Sequence, residues 1–541
     1  MTARPRLSRR LAPSLPGRLP VLLPALLGLA LGVLALGPAL LPGFVLRYDL
    51  VFVPDPPFVL PGSGFPRAVP SDQVAALLSS VLPSPLVEKG LLLAIFVLAA
   101  SGAAALVPSG RTVPRLAAAV FYAWNIYLAQ RLLLGQWALL LGVAGLPWAV
   151  KAVAARPFSV VRLAVALLPA AVGGFQAMLV SALTVLPVAL LLRGWRAVWA
   201  VGVMVVLSLP WLVPALASPA VTDPAGVDAF AARADGPFGV VGSLLSLGGI
   251  WNAQAGVPGQ DGWWLATARL TLALVALTGF AALRRHPREE GSPFMKGTPP
   301  MKRLPSGEGS PPKRGQRPSW WAGLAVAAVV GLGVAVVGAL WPAVPKGLIG
   351  LWSGFGPLRD GQLYLAPLVL AAAMGFAALV PRAGAMALAV PLLVLPTFAL
   401  GAFGSMAAVD YPDDWRQVQR IVNDDPTPGA LLSLPWGAHR AFAWNGGRIM
   451  LDPATKLFAR QVIWNDSLLV GRSDGTRLTV RGEDPLSGRI GAAMATGHLA
   501  EALDAAGVRY VLVVENENMF RSMLPTWDPI FEGREVLLLR R

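Results

Sequence analysis

The chain has 541 residues, 55% of them apolar and only 14% charged, and a mean hydropathy of +0.61; soluble domains carry roughly 25% charged residues, so an ordinary soluble protein is excluded and an integral membrane protein is expected. Cysteine is absent, which excludes disulfides, thiolate metal sites and cysteine nucleophiles. The net charge of +16 falls mostly in short loops on one side of the predicted membrane block, so it implies topology and no nucleic-acid partner.

Met1 to Arg18 holds five Arg and no acid, and is expected to stay cytoplasmic. The apolar run 19–41 is too long and too Pro-rich for a signal-peptide core and lacks a clean cleavage site, so it reads as an uncleaved first span. Further spans are predicted near 90–108, 115–130, 135–154, 160–175, 177–193, 197–216, 263–283, 320–341, 364–381 and 384–403, about eleven transmembrane helices in all. Residues 160–193 also fit a re-entrant pair broken at Gly173-Gly174. The predicted inner segments hold 22 Lys and Arg against three acids, and the outer loops seven against nine. That asymmetry orients the N-terminus inside and the C-terminus outside a plasma (inner) membrane.

Residues 284–319, rich in Pro, Gly, Lys and Arg, read as a disordered cytoplasmic linker between a first membrane block (19–283) and a second (320–406). From 407 no membrane-length apolar run returns. Ala430–Leu434 and Val508–Val514 have strand length, Gly497–Ala506 suits a helix feeding the second, and Glu535–Leu539 suits a last strand. The fold class expected is an α-helical polytopic membrane protein with a small extracytoplasmic α/β domain at 407–541.

The long outer loop 43–89 carries Arg47, Asp49, Asp55, Arg67, Asp72, Glu88 and Lys89. Sugar transfer from a polyprenyl phosphate needs a carboxylate to take the acceptor proton and cations to stabilise the departing phosphate. Asp49, with Asp55 as its rival, is the candidate base. Arg47, Lys89 and Arg359 are candidate phosphate partners, and Asn125, Gln130, Arg131 and Gln136 candidate sugar contacts. Arg359-Asp360, at the mouth of a span, fits either a substrate contact or a local ion pair. Arg269 lies one to two turns inside a predicted span and suits snorkelling. No cofactor is required, although Asp49 and Asp55 together suit a shared divalent metal. There is no phosphate-binding G-x-x-x-x-G-K-[ST] loop, no G-x-S-x-G and no H-E-x-x-H. The tail's Trp436, Trp444-Asn445 and Trp464-Asn465-Asp466 suit a carbohydrate face or a small domain packed on the membrane.

These features together resemble the GT-C superfamily of polyprenyl-phosphate-sugar glycosyltransferases. More narrowly, Trp124–Trp137 resembles the N-P-F-x-x-E-R-L-x-x-G-Q-W pattern of membrane proteins labelled as related to 6-pyruvoyl-tetrahydropterin synthase, and Leu358–Pro367 their R-D-x-Q-K-x-x-x-P stretch. Asp414-Trp415, Leu434-Pro435-Trp436 and Gly507–Val511 fit the same group. Gln130 stands where that pattern has Glu, and Leu363 where it has Lys. The Ala, Gly, Pro and Arg-rich composition suggests an actinobacterial source. The resemblance implies a membrane glycosyltransferase with Asp49 as base, a polyprenyl-phosphate-linked sugar as donor and a cell-envelope glycan or glycoprotein as acceptor, working among membrane lipid. Two other readings compete: a non-catalytic envelope-assembly protein, and a transporter of lipid-linked saccharides, which the scarcity of polar residues within the spans disfavours.

Overall fold

A computed structural model describes residues 19–59, 65–283, 320–471, 476–514 and 517–541. The basic N-terminus 1–18 and the linker 284–319 lie outside the described residues. The membrane blocks are built from α1 (Leu19–Leu36), α2 (Ser84–Leu106), α3 (Thr112–Ala123), α4 (Ile126–Leu133), α5 (Trp137–Ala154), α6 (Val160–Leu192), α7 (Gly194–Ala217), α8 (Trp263–Leu283), α9 (Trp320–Leu340) and α10 (Ala366–Ala383). Among the described residues eight helices are long and apolar enough to cross a membrane, or nine if the bent pair Ala385–Val394 and Pro396–Gly404 is one span.

The count falls below eleven for two local reasons. The predicted span 115–130 is broken at Trp124 and Asn125, whose extended backbone separates α3 from α4. At 1.5 Å per residue the two pieces reach only about 18 and 12 Å. The predicted pair 160–175 and 177–193 forms the single 33-residue α6, kinked at Gly174 (φ 73°, ψ −149°).

Val198, Val201, Val205 and Leu209 of α7 are all exposed, an apolar stripe at helical spacing that suits lipid. Inside, α8 and α10 cross with backbones in contact. A Cβ on Gly279 would strike the Gly375 carbonyl, and one on Gly375 would strike that of Ala276, so only glycine permits this approach.

The C-terminal region begins with β2 (Ala408–Val409), which pairs antiparallel with β1 (Phe44–Val45) just after the first span. Then come α11 (Asp413–Asn423), β3 (Ala430–Leu434), β4 (His439–Ala441), β5 (Ile449–Leu451), β6 (Val462–Ile463), β7 (Leu468–Gly471), β8 (Arg477–Val480), α12 (Pro485–Thr496), α13 (Leu499–Ala505), β9 (Val508–Val513), β10 (Asp528–Glu532) and β11 (Leu537–Arg540). One five-stranded sheet has the order β10-β11-β9-β3-β6, parallel across β9-β3-β6 and antiparallel across β10-β11-β9. All of β3 is buried, as expected of a central parallel strand that is apolar except for Ser433.

This domain docks on the loop that follows the first span. The Tyr411 hydroxyl donates to the Phe52 carbonyl (3.0 Å), Gln419 Nε2 to that of Pro54 (2.7 Å), and Asn445 Nδ2 to that of Leu46 (3.1 Å). Lys456 Nζ meets Asp72 Oδ1 at 3.0 Å. Buried backbone acceptors are costly when unmet, so these side chains fasten an irregular loop that makes few strand bonds of its own.

Candidate active site

Asp49 lies at the tip of a tight turn. The N–H of Arg47 bonds the Leu50 carbonyl (3.0 Å) and the N–H of Leu50 bonds that of Arg47 (2.9 Å), with Tyr48 in the left-handed region at φ 46°. The turn is clamped from two sides. The Asp49 N–H donates to the Leu134 carbonyl at the end of α4 (3.3 Å). On the other side Tyr48 pairs with β5: its N–H bonds the Ile449 carbonyl (2.8 Å) and its carbonyl accepts from the Leu451 N–H (2.9 Å). Gly135 (φ 79°) packs flat under the turn, where a Cβ would collide with the backbone nitrogen of Leu50. A non-glycine residue held at positive φ is strained, and such strain concentrates at functional sites. The Asp49 side chain remains 49% exposed, with His439 Nε2 3.7 Å from Oδ1.

Beside the turn, α4 presents a buried arginine. Asn125 caps the helix by accepting from the Leu128 N–H (3.0 Å) and donates to the carbonyls of Phe121 and Tyr122, joining α3 to α4. Its amide is therefore engaged in the helix junction. Arg131, fully buried, holds Asp360 through two bonds: Nη1 to Oδ2 at 2.6 Å and Nη2 to Oδ1 at 2.8 Å. Arg131 Nη1 also donates to Gln136 Oε1 (2.7 Å). Such a paired fork is the strongest ion-pair geometry available to side chains. Arg359 and Asp360 do not pair with each other. Arg359 turns to Glu483 in the C-terminal domain (2.9 Å), where Arg67 also binds the carboxylate. Burial and Arg67 pull the Arg359 guanidinium below its ordinary range. Burial opposes ionisation of Glu483, but Arg67 and Arg359 together hold it below the usual carboxylate range.

The remaining candidates are placed as follows. Lys89 and Glu88 are not loop residues, because α2 begins at Ser84 and both lie buried within it. Glu88 accepts the Val45 N–H through both oxygens (3.2 and 3.0 Å), and Lys89 Nζ donates to the Gly43 carbonyl (2.7 Å). They tie β1 to α2. Arg47 spreads over three elements, with Nε on the Leu133 carbonyl (2.9 Å), Nη1 on that of Ser405 (3.2 Å) and Nη2 on that of Gln254 (2.6 Å). These acceptors are all backbone carbonyls, so none of these bonds neutralises the guanidinium. Asp55 (φ 41°) is exposed, and its backbone carbonyl is held by Gln419 (3.2 Å). Asp49 and Asp55 are thus fastened to different elements, and no cluster of three metal-binding side chains forms among the described residues.

No protein-family profile and no curated protein matches the sequence. The three-dimensional arrangement has solved counterparts. The cryo-EM structure of the arabinofuranosyltransferase AftD from Mycobacteria overlays 97% of this chain with a TM-score of 0.53 at 16% identity. The fold of this chain is similar to that of AftD over this region. The chain spans 40% of the length of AftD. The crystal structure of the Archaeoglobus fulgidus oligosaccharyltransferase overlays 93% of this chain and 69% of its own, at 13% identity and a TM-score of 0.37. The eight or nine described helices that are long and apolar enough to cross a membrane are what a polytopic membrane protein requires.

The fold brings to Asp49 residues that the sequence alone did not assign to the site. His439 faces Asp49 from β4, and the Tyr48 hydroxyl donates to Gln254 Oε1 at 2.6 Å. Neither partner carries a local signature, since each is brought in from a distant segment. Arg269 is a correction. It is buried and faces Asp235 at 3.6 Å instead of snorkelling. Gln130 Nε2 donates to the same Asp235 (2.8 Å) and to Gln260 Oε1 (3.1 Å). An amide at 130, where the resembled pattern has Glu, therefore avoids setting a second carboxylate against Asp235.

Proposed function

We propose that this chain is a membrane glycosyltransferase that moves a sugar from a polyprenyl-phosphate donor to a cell-envelope acceptor on the outer face, inverting the anomeric centre. The observation that carries the reading is the half-exposed Asp49 carboxylate, clamped on a strained turn between the membrane block and the C-terminal domain. The fold similarity to an arabinofuranosyltransferase supports it. In the step proposed, the acceptor oxygen bonds to the anomeric carbon as its proton passes to Asp49. The bond from that carbon to the phosphate oxygen breaks, and its electron pair leaves with the phosphate. Arg47 contributes through its field, because its charge meets only neutral carbonyls. The Arg131–Asp360 fork holds α4, and with it the Leu134 carbonyl that anchors Asp49. Asp55, Lys89, Asn125 and Arg359 take structural parts in this reading. The N-terminus is cytoplasmic and the C-terminal domain outside, in accord with the charge asymmetry of the loops.

The test is complementation of a deletion strain with Asp49→Asn and, separately, Asp55→Asn, scored by envelope glycan composition and by protein level in the membrane. Losing a general base costs about 10²–10⁴ in rate, so Asp49→Asn should accumulate normally while one glycan linkage disappears. Asp55→Asn should keep the wild-type profile. If both variants restore the full glycan profile, the catalytic reading fails and a non-catalytic assembly role takes its place.

A further inference from the structure

The C-terminal domain contains a cavity of about 240 Å³ walled by Trp436, Gly437, His439, Arg440 and Phe442. We propose that this cavity is the subsite for a neutral sugar residue of the acceptor. The inference rests on the reading of Asp49 as the base.

Position is the first argument. His439 lines the cavity, and its Nε2 stands 3.7 Å from Asp49 Oδ1. His439 is thus common to the cavity wall and to the surroundings of the carboxylate. A ring seated there can direct a hydroxyl towards Asp49, which must come within about 3 Å of the proton it takes. The clamp between Tyr48 and β5 fixes this relation, because the turn carrying Asp49 is hydrogen-bonded to the hairpin partner of His439.

Chemistry is the second. The half-buried Trp436 brings an aromatic ring to the wall and His439 an imidazole, while Phe442, buried against Trp415 and Trp444, backs it. The one cation in the wall is already committed. Arg440 donates to the carbonyls of Leu434 (3.2 Å) and Pro435 (2.7 Å) and to Ser433 Oγ (3.1 Å), and meets the buried Asp452 at 2.9 Å. No unmatched positive charge is left there for an acidic sugar, so the cavity selects a neutral one.

Rigidity and size are the third. The wall follows directly on the buried strand β3, and Trp436 is held by Asn465, whose Nδ2 donates to its carbonyl (3.1 Å). A prearranged wall reduces the ordering cost of binding. The volume lies below the ~300–1,000 Å³ of drug-sized pockets, which suits one sugar ring with the glycan continuing outward.

The experiment is saturation-transfer NMR on the full chain in lipid nanodiscs, with methyl glycosides of arabinofuranose, mannopyranose and glucopyranose as probes and methyl glucuronide as the acidic control. At least one neutral glycoside should take up saturation, in the wild type and in Asp49→Asn alike. Trp436→Ala and the cavity-filling Gly437→Trp should each cut that signal at least fivefold with an unchanged melting temperature, and the glucuronide should show none. The subsite is overturned if no neutral glycoside takes up saturation, or if Gly437→Trp keeps both the full signal and the wild-type glycan profile. Neutral-glycoside binding that Gly437→Trp abolishes, together with an Asp49→Asn protein that still transfers sugar, would uphold the cavity and defeat the reading of Asp49.

Discussion

The Arg131–Asp360 fork offers the sharpest test of how the site is held. Arg131 is fully buried, and its two bonds to Asp360 measure 2.6 and 2.8 Å. Charge-assisted bonds of this kind contribute about 1.5–3 kcal/mol each, and removing one partner strands the other charge in a low-dielectric interior. Arg131→Met or Asp360→Leu alone should therefore destabilise the protein by about 3–5 kcal/mol. The double variant removes both charges and restores apolar packing. It should recover most of that loss, apart from the hydrogen bond that Gln136 no longer receives. Unfolding by graded SDS titration in bicelles supplies the four corners of a double-mutant cycle. A coupling free energy of at least ~2 kcal/mol is expected for contacting residues. Single effects that add to the double within about 0.5 kcal/mol would refute the reasoning, since that is the behaviour of an exposed pair, worth about 0–1 kcal/mol.

Gly135→Ala should be unusually damaging for a one-carbon change. The left-handed backbone alone costs about 1–2 kcal/mol, and the Cβ strikes the turn that carries Asp49, so glycan transfer should fall further than membrane accumulation; equal losses would argue against the turn as the sensitive element. Gln130→Glu restores the residue of the resembled pattern but sets two carboxylates where Gln130 now donates to Asp235 at 2.8 Å. It should lower the SDS midpoint, and an unchanged midpoint would remove this explanation for the amide. In the C-terminal domain the Tyr510 hydroxyl, the Thr427 N–H and Arg509 hold the Asp425 carboxyl well below its usual range. A depressed folded-state value gives stability that is full above the unfolded value of about 3.9 and is lost as pH falls through the folded one. The melting-temperature gap between wild type and Asp425→Asn should be widest near neutrality and close on acidification, and a gap that does not change with pH would contradict the assigned contacts.

Much of the architecture was legible in the sequence, because the physics that sets it is local. A hydrocarbon core demands about 20 consecutive apolar residues, so most spans declared themselves in the chain. The apolar runs at 430–434 and 508–513 likewise announced buried strands, whereas β10, with Asp528, Pro529 and Glu532 among its five residues, did not. The break at Trp124-Asn125 had a signal that went unused, since Asn is a favoured helix N-cap. The excess over eight or nine spans came from reading apolar length without such punctuation.

What tertiary structure alone decided is which charge meets which. Arg359 and Asp360 are neighbours in the chain yet bind Glu483 and Arg131. Lys89 and Arg47 looked like free cations, and both are bound to backbone carbonyls. His439, near the far end of the chain, reaches Asp49 only because β5 pairs with Tyr48. Solvation and apolar burial depend on a residue's own segment and can be read from it. An ion pair depends on distances of a few ångströms between groups from separate segments, and those distances exist only once the helices and the sheet have packed.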